Sequence, residues 1–274
     1  MEILLKAADV RDLPLLEHDL CTFSMLHRIL SQPCEKTVTD HARLILCYSA
    51  APFPVWVWLP QNADSEELAR AYRMMREDFP GCTFNVGRVL GEYAKAQGMG
   101  VSMRMNAYAC DALRPQNGRA EGHFCVAAMA DAPLVGNWIG RFRVECGLGG
   151  LYAEGCRSEA ERIIGDRRLF LWKDEAGTPR AMCSVREDGD AATLSLVYTE
   201  EGGRRRGYAA SLVWGVSQAL IAQRIRPMLY ADADYAASNA CYQNVGFEKR
   251  GEIWTVGDDL TSFREIRESV PHAR

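Results

Sequence analysis

The stretch that most limits how this chain can fold runs from Val197 to Ala210. An apolar run ends at Val197-Tyr198-Thr199, a loop Glu200-Glu201-Gly202-Gly203-Arg204-Arg205-Arg206-Gly207 follows, and helical spacing begins at once. Leu212, Val213, Val216 and Leu220 recur with Ala209 on one face, so the helix has an apolar side to bury. First-turn N–H groups of such a helix lack partners, and its dipole leaves partial positive charge there. Gly207 and Ala209 keep bulk away from the backbone, and Gly207 has access to angles closed to other residues. By itself the loop fits two readings equally: a cradle for a phosphate, or an exposed basic turn that caps an ordinary helix.

Composition narrows the context. The chain has 274 residues, 48% hydrophobic and 25% charged, with a net charge of −4. That balance argues against a protein whose main work is coating nucleic acid, although it allows a local basic site at Arg204–Arg206. No apolar run is long enough to cross a bilayer, and the first residues do not form a secretory signal. A cytoplasmic chain with its ten cysteines reduced is the expectation. Neither a Cys-x-x-Cys pair nor a His-x-x-x-His pair occurs, so no metal is assigned. There is also no Gly-x-Ser-x-Gly nucleophile turn.

In chain order, Asp12 to Leu46 reads as helical with a break at Pro33. Val55-Trp56-Val57-Trp58-Leu59 reads as a strand, its tryptophans better explained as core than as a stacking platform. A helix follows from Asp64, where Asp64 and Glu67 have capping-box spacing. With Phe84–Val86, Val89–Ala96 and Val101–Tyr108, the order there is strand, helix, strand, helix, strand. Asp111 to Glu121 reads as a polar linker, giving domains 1–118 and 119–274. Beyond it come a strand at His123–Met129, helices at Ala132–Glu145 and Ser158–Ile164, and a glycine-rich break at Gly147–Gly150 between them. A hairpin turns at Asp174–Pro179, and Ala192–Thr199 is the strand that leads into the basic loop. Met228–Ala231 is the next strand, parallel to that one by the right-handed crossover rule. Ser238 is expected to cap a short helix that stops at Gly246, with a last strand at Phe247–Val256.

Two blocks stand in fixed order: Arg204-x-x-Gly207-x-Ala209 after one strand, and Ser238-Asn239-x-x-Tyr242-x-x-x-Gly246-Phe247 after the next. Together they resemble the GNAT superfamily of acyl-CoA-dependent N-acetyltransferases, over roughly Glu121 to Val256. The resemblance implies an α/β fold with a mixed, mostly antiparallel central sheet and flanking helices. It implies acetyl-CoA as co-substrate and a small-molecule or peptide amine as acceptor, with direct transfer. Val197 and Thr199 would lie beside the pantetheine arm. Backbone N–H groups of Arg205, Arg206, Gly207, Tyr208, Ala209 and Ala210 would hold the pyrophosphate, with Arg204 near its rim. Asn239 would hold the pantetheine amide region, and Tyr242 would protonate the departing thiolate. The pattern departs at Tyr235-Ala236, where the family usually has Asn-Pro, which bears on the acceptor pocket.

A phenol of pKa ~10 protonates a thiolate of conjugate acid ~8.5 at an uphill cost of roughly 2 kcal/mol. An alkylamine needs a base or water chain, for which Glu145, Glu154 and Glu187 are candidates by type and region only. Cys241 beside Tyr242 carries no sign of an activated thiol. The first half repeats the order of the second, but its corresponding loop, Pro60 to Glu67, has no glycine and three carboxylates. It reads as a degenerate copy without a cofactor site, and the whole chain as two tandem related domains. A non-catalytic acyl-CoA-binding module is the competing class.

Overall fold

Runs of β-branched and aromatic residues between turn signals make this a strand-rich chain. The computed structural model describes residues 1–4, 10–116, 118–146 and 153–258. Contacts divide it into two units. Unit 1 comprises Met1–Tyr108, Ala231–Asp234 and the segment from Lys249; unit 2 comprises Ala109–Tyr230 and Tyr235–Glu248.

Unit 1 holds strands β1 (Glu2–Leu4), β2 (Lys36–Thr39), β3 (Ile45–Tyr48), β4 (Val55–Trp58), β5 (Phe84–Gly87) and β6 (Gly100–Ala109). Its helices are α1 (Leu20–Leu30), α2 (Ser65–Asp78) and α3 (Arg88–Ala96), with a 3-10 segment at Val10–Asp19. β1 to β4 form an antiparallel meander, and β5 joins parallel to β4 after the α2 crossover. The chain's final strand, numbered β12 below (Glu248–Gly257), pairs antiparallel with β5 and puts Trp254 and Val256 into this unit's core. The expected boundary at 118/119 therefore does not describe the grouping, because the last strand lies with the first unit. Trp56 and Trp58 are buried, as expected of core residues.

The long helix expected from Asp12 to Leu46 is corrected: helical structure ends at Leu30, and β2 and β3 follow. Thr37, Val38, Thr39 and Ile45 favour strand. The Asp40 carboxylate accepts the N–H groups of Ala42, Arg43 and Leu44, which fixes the tight turn between the two strands.

Unit 2 contains β7 (His123–Val126), α4 (Ala132–Glu145), α5 (Ala153–Gly165), β8 (Leu169–Lys173), β9 (Pro179–Asp188) and β10 (Ala191–Thr199). These are followed by α6 (Tyr208–Ala222), β11 (Arg226–Asp232) and α7 (Ala236–Val245). The strand order is β11-β10-β9-β8-β7, antiparallel except for the β10–β11 pair. α4 and α5 bury Val135, Trp138, Ile139 and Ile163 against Leu169, Leu171 and Met182 on one face. Fully burying side chains of this size contributes about 1.5–3 kcal/mol each. α6 packs on β8 and β9. The break at Gly147–Gly150 lies outside the described residues.

The expected linker at Asp111–Glu121 is also corrected. It lies against α6 and α7 as part of unit 2. Trp214 Nε1 donates to Arg114 O at 3.0 Å, and Ala120 N donates to Ser211 Oγ at 3.0 Å. Arg114 N donates to Val245 O at 2.9 Å, and the Arg119 guanidinium lies 3.6 Å from the Trp214 ring centroid. Ser211 and Trp214 are buried polar-tipped side chains that need partners, and this segment supplies them. At Gly246 (φ 123°), a Cβ would meet Ala112 O at 2.4 Å, so the chain has room only for glycine there.

Candidate active site

β10 is built to leave one edge of its last residues, the edge toward β11, unpaired. It pairs with β11 from Ala191 to Leu194, matched to Arg226 through Leu229, and then runs five residues further without a β11 partner. Its register with β9 shifts between Ser195 and Tyr198, with Leu196 at φ 50°. A bulge increases local twist and turns a strand away from its neighbour. Val197 falls inside the bulge, and Thr199 sits after it, opposite Ala181. An open backbone edge of this kind accepts an extended ligand as an added strand.

The loop that follows is anchored at its start. Arg180 donates to both Glu200 and Asp174 and holds the Asp174 carboxyl below the usual carboxylate range, with backbone N–H donation from Thr178 adding to this. After a single 3-10 turn at Glu201–Gly203, Arg205 adopts φ 62° and Gly207 φ 79°. Gly207 is the N-cap of α6 and gives it no side-chain cap. A Cβ at Gly207 would meet nothing within 4 Å, so the space in front of the helix start is open. Uncapped N–H groups, an open approach and exposed Arg205 and Arg206 form a donor set suited to a diphosphate.

Arg204 behaves differently from its two neighbours. Its guanidinium donates to Glu145 Oε1 at 2.5 Å and to Thr199 O at 3.3 Å, and lies 5.7 Å from the Tyr198 ring centroid. Burial is the largest single effect and works against its charge, but the hydrogen bond and charge of Glu145 together with the contributions of Tyr198 outweigh it, and its pKa is raised. Glu145, one of the expected base candidates, is thus occupied as this partner. Nothing local in the sequence signals a pair separated by 59 positions. Glu187 lies instead in a cavity with residues from the far end of α6, and the side chain of Glu154 lies outside the described residues.

On α7 the helix begins three residues earlier than expected. Tyr235 is its N-cap, so Ser238 is not; the Ser238 hydroxyl and the Asn239 amide both donate back to Tyr235 O, at 3.1 and 2.8 Å. Asn239 is half-buried. Tyr242, one turn on, is 7% exposed and packs edge-on to Phe247 with centroids 6.2 Å apart. Burial, with smaller contributions from Cys241 and Cys183, pushes its hydroxyl above the ordinary phenol range. Burial also pushes the Cys241 thiol up to about 11, so at neutral pH it is a protonated thiol and a poor nucleophile. Among the described residues, no group of three or more His, Cys, Asp or Glu side chains is gathered as a metal site requires.

A splayed parallel pair, a bulged strand and an uncapped glycine turn define the class: the chain has the GNAT fold. More particularly, residues 175–255, from the β8–β9 turn through β12, match the FR47-like protein family. Solved structures agree in fold. A GNAT-family acetyltransferase from Colwellia psychrerythraea is 10% identical with a TM-score of 0.61, covering 94% of this chain and 100% of that one. A GCN5-related N-acetyltransferase from Kribbella flavida is 14% identical with a TM-score of 0.59, covering 89% and 97%. A tandem GNAT protein from the clavulanic acid biosynthesis pathway is 12% identical with a TM-score of 0.51, covering 93% and 97%. No curated protein matches the sequence. The fold likeness to the tandem GNAT protein extends over both units.

Proposed function

We propose that unit 2 binds acetyl-CoA and passes its acetyl group directly to a primary amine. The observation that carries this reading is the sequence-contiguous pairing of an unpartnered β10 edge with an uncapped α6 start. The first suits a pantetheine arm, and the second suits its diphosphate. Arg205, Arg206 and the N–H groups of Gly207, Tyr208, Ala209 and Ala210 bind the anion, while Val197 and Thr199 flank the arm. Asn239 orients the arm's amide, and Tyr242 donates its proton toward the departing sulfur. Because burial raises the Tyr242 pKa, that donation is harder than the roughly 2 kcal/mol expected of an ordinary phenol. The same burial favours a second reading, in which Tyr242 is a packing residue and unit 2 only binds acyl-CoA.

Two measurements test both readings. Calorimetry with coenzyme A should show one site per chain; absence of binding ends both. Thiol release with a panel of amines then separates them. Under the catalytic reading, Tyr242→Phe lowers kcat by about 10- to 100-fold and leaves coenzyme A affinity within twofold. Equal turnover in wild type and variant removes Tyr242 from the chemistry.

A further inference from the structure

A second concavity lies in unit 2, at the opposite end of α6 from the basic loop. It measures about 680 Å³, within the range of small-molecule pockets. Its walls combine Phe170, Val185, Val216 and Leu220 with Arg162, Arg167, Arg168 and Arg186. Only Asp166 and Glu187 oppose those four guanidiniums, leaving two positive charges in a chain whose net charge is −4. Asp166 is already engaged, at 2.6 Å by Arg168 and at 3.7 Å by Arg162.

Basic residues after a helix commonly do no more than offset its dipole, and Arg162 in the last turn of α5 fits that role. Arg186 does not, since it comes from β9. Arg167 holds a left-handed backbone (φ 55°) just past the end of α5, with its N–H donating to Ile164 O. Glycine is the usual residue at such a helix end, so a side chain here carries a strain that glycine would remove. The partly exposed Phe170 and the edges of the buried Val185, Val216 and Leu220 lie beside this cationic set, a combination suited to a ligand that has both characters.

We propose that this cavity binds a small soluble anion with an apolar body, such as an aryl or alkyl phosphate or carboxylate. The site is separate from the coenzyme A loop and does not depend on the transferase reading. The test is calorimetry on the full chain with 2-naphthyl phosphate, inorganic phosphate and 2-naphthol. The intact probe should bind at one site, at least tenfold tighter than either fragment, and coenzyme A should not displace it. Arg186→Ala and Arg167→Gly should each weaken binding by about tenfold, and Arg205→Ala should leave it unchanged. Arg167→Gly should also raise the thermal midpoint by about 2–4 °C, so its lost affinity cannot be attributed to unfolding. The proposal is overturned by no binding, by equal affinity in the arginine variants or for 2-naphthol, or by displacement with coenzyme A. Co-sedimentation with phosphatidylglycerol vesicles by a protein that ignores 2-naphthyl phosphate would overturn it too.

Discussion

The starts of α2 and α6 are the same place in two units of like topology, and they have opposite chemistry. Each helix follows a strand and crosses over to a parallel one. At α2, the Asp64 carboxylate accepts the N–H groups of Glu66 and Glu67, and Glu67 accepts that of Asp64, each at 2.9 Å. Arg43 then clamps Glu67 through both oxygens. At α6 the cap is Gly207, which brings no acceptor, and three arginines precede it. β4 ends one residue past its last β5 partner, whereas β10 runs five past its last β11 partner. One unit has closed both its helix start and its strand edge with its own groups. The other has left both open. The difference lies in which groups satisfy an identical backbone demand, and only the open arrangement can take an external anion.

This contrast is easily broken by exchanging the caps. Gly207→Asp should lower coenzyme A affinity on the order of 100-fold, through lost dipole and hydrogen-bond donors and added repulsion; titration calorimetry reads it directly. Asp64→Ala should cost about 1–2 kcal/mol of stability in urea unfolding, with coenzyme A binding unaltered. Arg205→Ala and Arg206→Ala should each reduce coenzyme A affinity roughly two- to fivefold and flatten its salt dependence. A smaller effect should follow pH. The Arg43 hydrogen bond, helped by the Asp64 N–H, lowers the Glu67 carboxyl from its ordinary 4.5 to about 2. A depressed folded pKa stabilises fully above 4.5 and loses that contribution as pH falls toward 2. Glu67→Gln should therefore flatten the acid-unfolding curve across that window, with little change near neutrality.

Much of this was legible in the sequence because it is local. Asp64 and Glu67 are three residues apart, so their capping box was readable from spacing. The apolar run, the glycine turn and the periodic face of α6 also lie within one continuous stretch. Reading failed where a residue's partner is distant. The leucines between Asp12 and Leu46 suggest one helical face, and only pairing with β1 and β4 makes strands of Lys36–Thr39 and Ile45–Tyr48. Asp111–Glu121 looks like a linker until Ser211, Trp214 and Val245 are seen to hold it. Spacing from Asn239 marks Tyr242, yet its burial against Phe247 depends on how α7 packs.

By itself, then, the sequence determined the chemistry at the starts of α2 and α6, because those caps and turns are settled within four or five residues. Tertiary structure alone decided that β10 parts from β11, that Arg204 is held by Glu145, and that β12 completes the first unit's sheet. Those outcomes are competitions between alternative partners far apart in the chain. Packing geometry, which no local pattern encodes, selects the winner.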